Sequence, residues 1–193
     1  MKSKRAPFEA ARSNGALYVK VRGLGSMNNA PTLEAFAEKA LGDGVTKLVL
    51  DLKRCTGVDS TFMGLILGLS NRLRETGDGS GIVLVNVDEH ALKQLKSVGV
   101  DAFVSVKEGK TRLPPALKMT ELKGVDLSER ERLKLMVRAH KDLVAADARN
   151  EAKFGAFLGG SSPSWSSARC PSNPSAPNQS TCPKCGLAHK CRR

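Results

Sequence analysis

Apolar and polar positions alternate on short periods as far as about residue 107. Ser13-Asn14-Gly15 separates Pro7–Arg12 from Ala16–Arg22. Asn-Gly supplies the two positive-φ residues that a type I′ turn needs, so residues 6–22 are predicted as a β-hairpin. In its second arm Val19-Lys20-Val21-Arg22 alternates, which gives one covered and one wet face. Leu33, Phe36, Ala37, Ala40 and Leu41 then follow helical spacing, with Pro31 in the first turn and Gly42 at the stop. Lys47-Leu48-Val49-Leu50-Asp51-Leu52 is nearly continuous in apolar character, as a strand covered on both faces is. A helix over about 60–74 carries the stripe Phe62, Leu65, Ile66, Leu69 and Leu73, and Gly77, Gly79 and Gly81 break it. Residues 82–87 form the next strand. Asp88 caps a helix with Leu92, Leu95 and Val98 inward and Gly99 at its end, and residues 102–106 form a last strand. The order ββαβαβαβ implies an α/β fold: a mostly parallel central sheet with an N-terminal antiparallel hairpin and flanking helices.

Beyond residue 107 the pattern changes. Residues 108–127 are basic, contain Pro114-Pro115, and read as a linker. Residues 128–158 read as a C-terminal helical extension. Ser128 and Glu131 have capping-box spacing, and Leu133, Met136, Val137, His140, Leu143 and Val144 make one apolar face. Asp147 is placed to start a further short helix presenting Phe154, Phe157 and Leu158. Residues 159–193 are rich in Ser, Pro and Gly, have no acidic residue, and are expected to be disordered, because such a composition buries too little apolar surface to offset ordering entropy.

Composition narrows the function. With one Trp and one Tyr in 193 residues, the core must be aliphatic. The formal net charge of +12 is partly a property of the tail, which holds five basic residues and no acidic one. No aromatics interleave with a basic stripe, so nucleic acid is not the expected partner. No run approaches the ~18 apolar residues of a membrane span, and no apolar stretch follows the basic N-terminus as in a secretory signal. A cytoplasmic protein without a membrane role is expected. Gly23-Leu24-Gly25 lacks the third glycine of a dinucleotide loop, and there is no Walker loop. None of the three histidines stands in a recognisable pairing with a nucleophile, so catalysis is not expected.

The informative stretch is Leu48-Val49-Leu50-Asp51-Leu52, then Cys55, then Val58-Asp59-Ser60-Thr61-Phe62-Met63-Gly64. A buried strand leads through a short loop into Asp-Ser-Thr at a helix start, where Asp59 or Ser60 is the N-cap. A hydroxyl there stands at the positive end of a helix dipole and is well placed to take a phosphate. On local chemistry alone the plainer reading is an ordinary cap. Gly64 and Gly68, one turn apart, leave a low surface where another backbone can approach; tight packing on the helix's own sheet is the competing reading.

The strand ending Leu-Asp-Leu, the Asp-Ser-Thr helix start followed by Gly64, the Leu-Val-Asn strand and Gly99-Val100-Asp101-Ala102-Phe103 together resemble the STAS domains of bacterial anti-sigma factor antagonists, over about residues 15–107. The resemblance implies a STAS domain over residues 1–107. It also implies a function without catalysis. Unphosphorylated protein would bind an anti-sigma factor that is itself a serine kinase, free a sigma factor, and so regulate transcription. Phosphorylation at Ser60 would break that complex and a phosphatase would restore it. The implied partner-binding residues are Asp59, Ser60, Thr61, Met63 and Gly64. Phe62 and Met63 stand where small or aliphatic residues are common in the family. The alternative is a STAS scaffold whose Ser60 is not a switch, with the 128–158 helices self-associating or docking on the domain.

No cofactor is expected of such a domain. The tail does contain Cys182-Pro183-Lys184-Cys185, then His189 and Cys191, with Cys170 upstream. Cys-x2-Cys is the spacing of half a zinc knuckle, but His-x-Cys is tight for the other half and no apolar residues surround it. A weak zinc site and an unstructured extension both remain as readings.

Overall fold

The computed structural model describes residues 6–75 and 81–159. Gly77 and Gly79, and the tail from residue 160 with Cys170, Cys182, Cys185, His189 and Cys191, lie outside those residues.

Strands β1 (Phe8–Ser13) and β2 (Ala16–Gly25) form the predicted hairpin. Asn14 at φ 49° and Gly15 at φ 69° make the turn, which pairs Ser13 with Ala16 and Phe8 with Val21. Helix α1 (Ala30–Gly42), strand β3 (Lys47–Val58), helix α2 (Ser60–Glu75), strand β4 (Ile82–Val85), helix α3 (Glu89–Ser97) and strand β5 (Ser105–Val106) follow. A sixth strand, β6 (Thr120–Glu121), completes a sheet ordered β5-β4-β3-β2-β1-β6. Strands β2 to β5 run parallel, and β1 and β6 are antiparallel to their neighbours. The chain thus has the expected α/β architecture, built on an aliphatic core in which Leu50, Ile66, Leu69 and Leu84 are fully buried.

Three boundaries differ from the sequence reading. Strand β3 runs on to Val58 and meets α2 directly, with no loop between. Exposed Lys53 and Arg54 break the apolar run, but β2 continues to pair beside them, Arg22 with Arg54 and Gly25 with Val58. Strand β4 stops at Val85 because Asn86 turns the chain at φ 56°, and its side chain clasps the backbone of Thr111 in both directions. The strand expected over 102–106 shrinks to Ser105–Val106, since the chain first makes a 3₁₀ turn over Val100–Ala102 that buries Val100 completely.

The stretch read as a linker crosses the molecule and is tied down. Strand β6 pairs with Glu9 and Ala10 of β1, Leu122 is buried, and Val125 N–H donates to Thr32 Oγ1 at 3.0 Å. Helix α4 (Glu129–Ala146) then starts on the capping box: Ser128 Oγ accepts from Glu131 N–H, and Glu131 accepts from Ser128 N–H. A 3₁₀ turn (Ala148–Asn150) and the four-residue helix α5 (Glu151–Phe154) follow.

Asn150 fixes this end. It is fully buried, and its Nδ2 donates to Val98 O at 3.0 Å and Leu143 O at 2.8 Å, joining the end of α3 to α4. Asn150→Ala removes both donors from a buried place, where an unmet carbonyl costs about 1–3 kcal/mol. A loss of about 2 kcal/mol in urea unfolding is expected; a change within a few tenths would mean that neither bond holds the turn.

Candidate functional site

Helix α2 begins where β3 ends, so the residues of its first turn are set by a strand at the centre of the sheet. Asp59 is the cap. Its Oδ1 accepts from Phe62 N–H and its Oδ2 from Met27 N–H, each at 2.8 Å, while its own N–H donates to Gly25 O at 2.9 Å. The carboxylate therefore staples the loop after β2 to the helix start. Ser60 becomes the first helical residue, half-buried, with its hydroxyl beside the positive end of the dipole.

The structure brings Asp59, Ser60, Thr61, Met63 and Gly64 together in one turn of helix, with different surroundings. Thr61, Met63 and Gly64 are buried. Phe62 points into the core and stacks on Phe8, ring centroids 6.2 Å apart and 9° from parallel. Its bulk thus faces away from any outside molecule. Cys55 sits in β3, where its thiol donates to Gly57 O at 3.2 Å and burial pushes its pKa up, which keeps it protonated and inert.

Helix α4 covers the outer side of α2. It does so through Leu135, Ala139, His140 and Leu143, all buried. Of the face predicted from the sequence, His140 and Leu143 are buried and Met136, Val137 and Val144 half-buried, but Leu133 is 51% exposed and the small Ala139 takes the centre. The reason lies in α2. A Cβ on Gly64 would stand 2.3 Å from Ala139 O and 2.7 Å from Ala139 Cβ, and one on Gly68 would stand 3.0 Å from Asp142 Oδ2. The shallow surface over the two glycines takes the smallest residue of α4 at its centre, not the largest. Both glycines therefore look toward α4, not toward the sheet. An ion pair of Arg138 with Glu34 ties α4 to α1 as well. Asp142 is half-buried here, and desolvation raises its pKa against the opposing pull of Arg138 and Arg72.

This docking brings His140 onto Ser60. His140 Nε2 lies 2.9 Å from Ser60 Oγ, and Nδ1 lies 2.7 Å from Met136 O. A carbonyl only accepts, so Nδ1 carries the proton; in the neutral ring Nε2 then accepts from the serine hydroxyl. Phe154 and Phe157 close over the ring, with centroids at 4.8 Å and 5.1 Å. A serine whose hydroxyl proton is held by an oriented imidazole is polarised toward nucleophilic attack. The sequence reading found no histidine beside a nucleophile, because these two residues are 80 positions apart. One signal could have found the pair: Leu135, Ala139 and Leu143 repeat at four-residue steps, as Ser60, Gly64 and Gly68 do on α2. His90, by contrast, is exposed at the start of α3.

The groove lined by Ala10, Phe36, Leu122 and Val125 lies on α1 and the β6 edge, away from this turn. Among the described residues no helix is long and apolar enough to cross a membrane.

A mostly parallel sheet with an N-terminal antiparallel hairpin, and a serine following an aspartate cap at the start of the helix after its central strand, defines an α/β domain of the STAS type. The chain belongs to the STAS family: the family described as "Mlab, STAS domain" matches residues 8–106, more than half of the chain. Among solved structures it is similar to TM1081 of Thermotoga maritima, described as a proposed anti-sigma factor antagonist, at 18% identity over 53% of this chain and 86% of that one, with a TM-score of 0.48. It is also similar to the anti-sigma factor antagonist SpoIIAA in its unphosphorylated form (16% identity, 53% and 89% covered, TM-score 0.45). The phosphorylated form of SpoIIAA from Bacillus is similar too (17%, 52% and 91%, TM-score 0.44). No curated protein matches the chain.

Proposed function

We propose that this chain is a phosphorylation-switched antagonist of an anti-sigma factor, with Ser60 as the switch and no catalysis of its own. The observation that supports it most is the position of Ser60. Asp59 takes the cap, which leaves the serine hydroxyl as the first helical side chain, at a helix N-terminus set by the central strand. A phosphate there adds about −1.5 to −2 charges where the helix dipole favours them. The same charge opposes docking of an apolar or acidic partner surface over the first turn. The partner is an anti-sigma factor that is also a serine kinase, and a phosphatase resets the switch; the protein acts in the cytoplasm.

The test is to incubate the chain with candidate anti-sigma kinases and ATP and to map the phosphate. Phosphate at Ser60 is expected. Ser60→Ala should bind the kinase at least as tightly as the unmodified chain does, and Ser60→Asp at least tenfold more weakly, a difference of about 1.4 kcal/mol. Phosphate mapped elsewhere, or equal binding by both variants, removes the switch.

A second reading, a scaffold module whose Ser60 is never modified, is favoured by one observation: α4 lies over Gly64 and His140 over Ser60. The kinase experiment separates the two.

A further inference from the structure

On the reading that the start of α2 is the partner-facing surface, we propose that helix α4 is a built-in occupant of that surface, and that the Ser60–His140 hydrogen bond is its latch. The chain then exists in two forms. In the closed form α4 covers α2. In the open form α4 has lifted and Ser60 and Gly64 are free.

The contacts have the character of a docked helix. Its central approach is backbone to backbone, with Ala139 over Gly64. Of α4, Leu135, Ala139, His140 and Leu143 are buried, and two of them, Leu135 and Leu143, join the apolar core that also holds Phe62, Ile66, Leu69 and Leu73 of α2. Lifting α4 withdraws those two leucines and leaves the stacking of Phe62 on Phe8 of β1 in place. Half-buried Asp142 works against docking, since its carboxylate loses water and gains no hydrogen bond in exchange among those recorded for the described residues. The His140 side chain meets the first turn of α2 at Ser60, and Phe154 and Phe157 hold its ring there.

Two consequences follow. An outside partner must compete with α4, so its apparent affinity is reduced by the fraction of chains that are open. A kinase must also reach Ser60 Oγ past the His140 ring that lies against it in the closed form, so the open form is the better substrate, and a phosphate on Ser60 then takes up space that the ring occupies on closure.

Two measurements test this, and neither needs a kinase or a partner. The first is hydrogen exchange on the unmodified full chain. Amides of Ala139 to Leu143, in mid-helix, are expected to exchange at least tenfold faster than those of Val49 and Leu50 in β3, because a latch opens without unfolding the sheet. Equal rates would show that α4 is a fixed part of the core, and would overturn the proposal. The second uses Ser60→Cys, alkylated with iodoacetamide and read by mass at residue 60. Adding Leu143→Asp, which places a charge at a fully buried contact, is expected to speed alkylation at least tenfold while exchange in β3 stays as it was. The imidazole favours the reactive thiolate in the closed form, so this acceleration runs against the intrinsic reactivity of the thiol. An unchanged alkylation rate with β3 intact would sink the latch. If Leu143→Asp unfolds the whole domain, the exchange rates of the unmodified chain decide. A chain that no kinase phosphorylates loses the proposed switch but leaves these results standing.

Discussion

Phe62→Ala is expected to cost about 3–5 kcal/mol, the range for removing a large aromatic side chain from a core. Phe62 is fully buried and stacks on Phe8, so it joins the first turn of α2 to the hairpin. The ring also fills the space above Gly25, where any Cβ would come within 2.7 Å of it. Neither neighbour can close the hole: Phe8 is fixed in a strand paired on both sides, and Gly25 has no side chain. A domain typically has about 5–15 kcal/mol in total, so the variant should remain folded at room temperature with little to spare. For a unit of this size each 1 kcal/mol lowers Tm by about 2–4 °C, so a fall of about 10 °C is expected. The backbone N–H of Phe62 still meets Asp59 Oδ1, so the cap should survive and the loss should be one of packing alone. A loss below about 1 kcal/mol in urea would contradict the buried placement. The same variant also separates stability from recognition, because the ring faces away from the surface proposed for the partner.

The sheet was legible in the sequence because its signals are local. Asn14-Gly15 dictates a hairpin, and the run Leu48–Leu52 dictates a covered strand, whatever the rest of the chain does. A cap at Asp59 or Ser60 was legible for the same reason, and the structure gives it to Asp59. What escaped is held by partners distant in sequence. Lys53 and Arg54 interrupt the apolar run of β3, and only pairing with β2 carries the strand past them. Strand β6 is two residues whose role is backbone pairing with Glu9 and Ala10, which leaves no side-chain pattern to read. In α4 the apolar spacing pointed to Leu133, Met136, Val137, His140, Leu143 and Val144, and of these His140 and Leu143 are the buried ones. The face chosen in the fold centres on Ala139, because its counterpart on α2 is a pair of glycines. The candidate site was thus half visible: the helix start at Asp59-Ser60 came from local chemistry, Ser60 as a switch came from the family resemblance, and the histidine came from a helix match that needs both surfaces at once.

That match makes the two glycines of α2 unequal, although they stand one turn apart and look alike in sequence. In the interior of a helix, alanine is better than glycine by about 1 kcal/mol. At Gly68 the new Cβ meets only the end of the Asp142 side chain, at 3.0 Å, and that side chain can swing toward solvent. Gly68→Ala is therefore expected to be neutral or to stabilise by up to about 1 kcal/mol. At Gly64 the nearest atom is Ala139 O, at 2.3 Å, and a backbone carbonyl inside a helix cannot turn aside. Overpacking of this kind costs about 1–3 kcal/mol, which outweighs the gain in propensity. Removing α4 altogether would expose Leu135 and Leu143, at about 1.5–3 kcal/mol each, so a shift of the helix is cheaper than its release. With α4 displaced, the broken Ser60–His140 hydrogen bond adds about 1 kcal/mol to the overpacking, so Gly64→Ala should lose about 1–3 kcal/mol net. Trimming Ala139 to glycine in the same chain should not restore stability, because the obstructing atom belongs to the main chain. Urea unfolding of the two alanine variants and the double variant checks all three expectations. Equal effects at Gly64 and Gly68, or full rescue by Ala139→Gly, would show that α4 does not rest its backbone on α2.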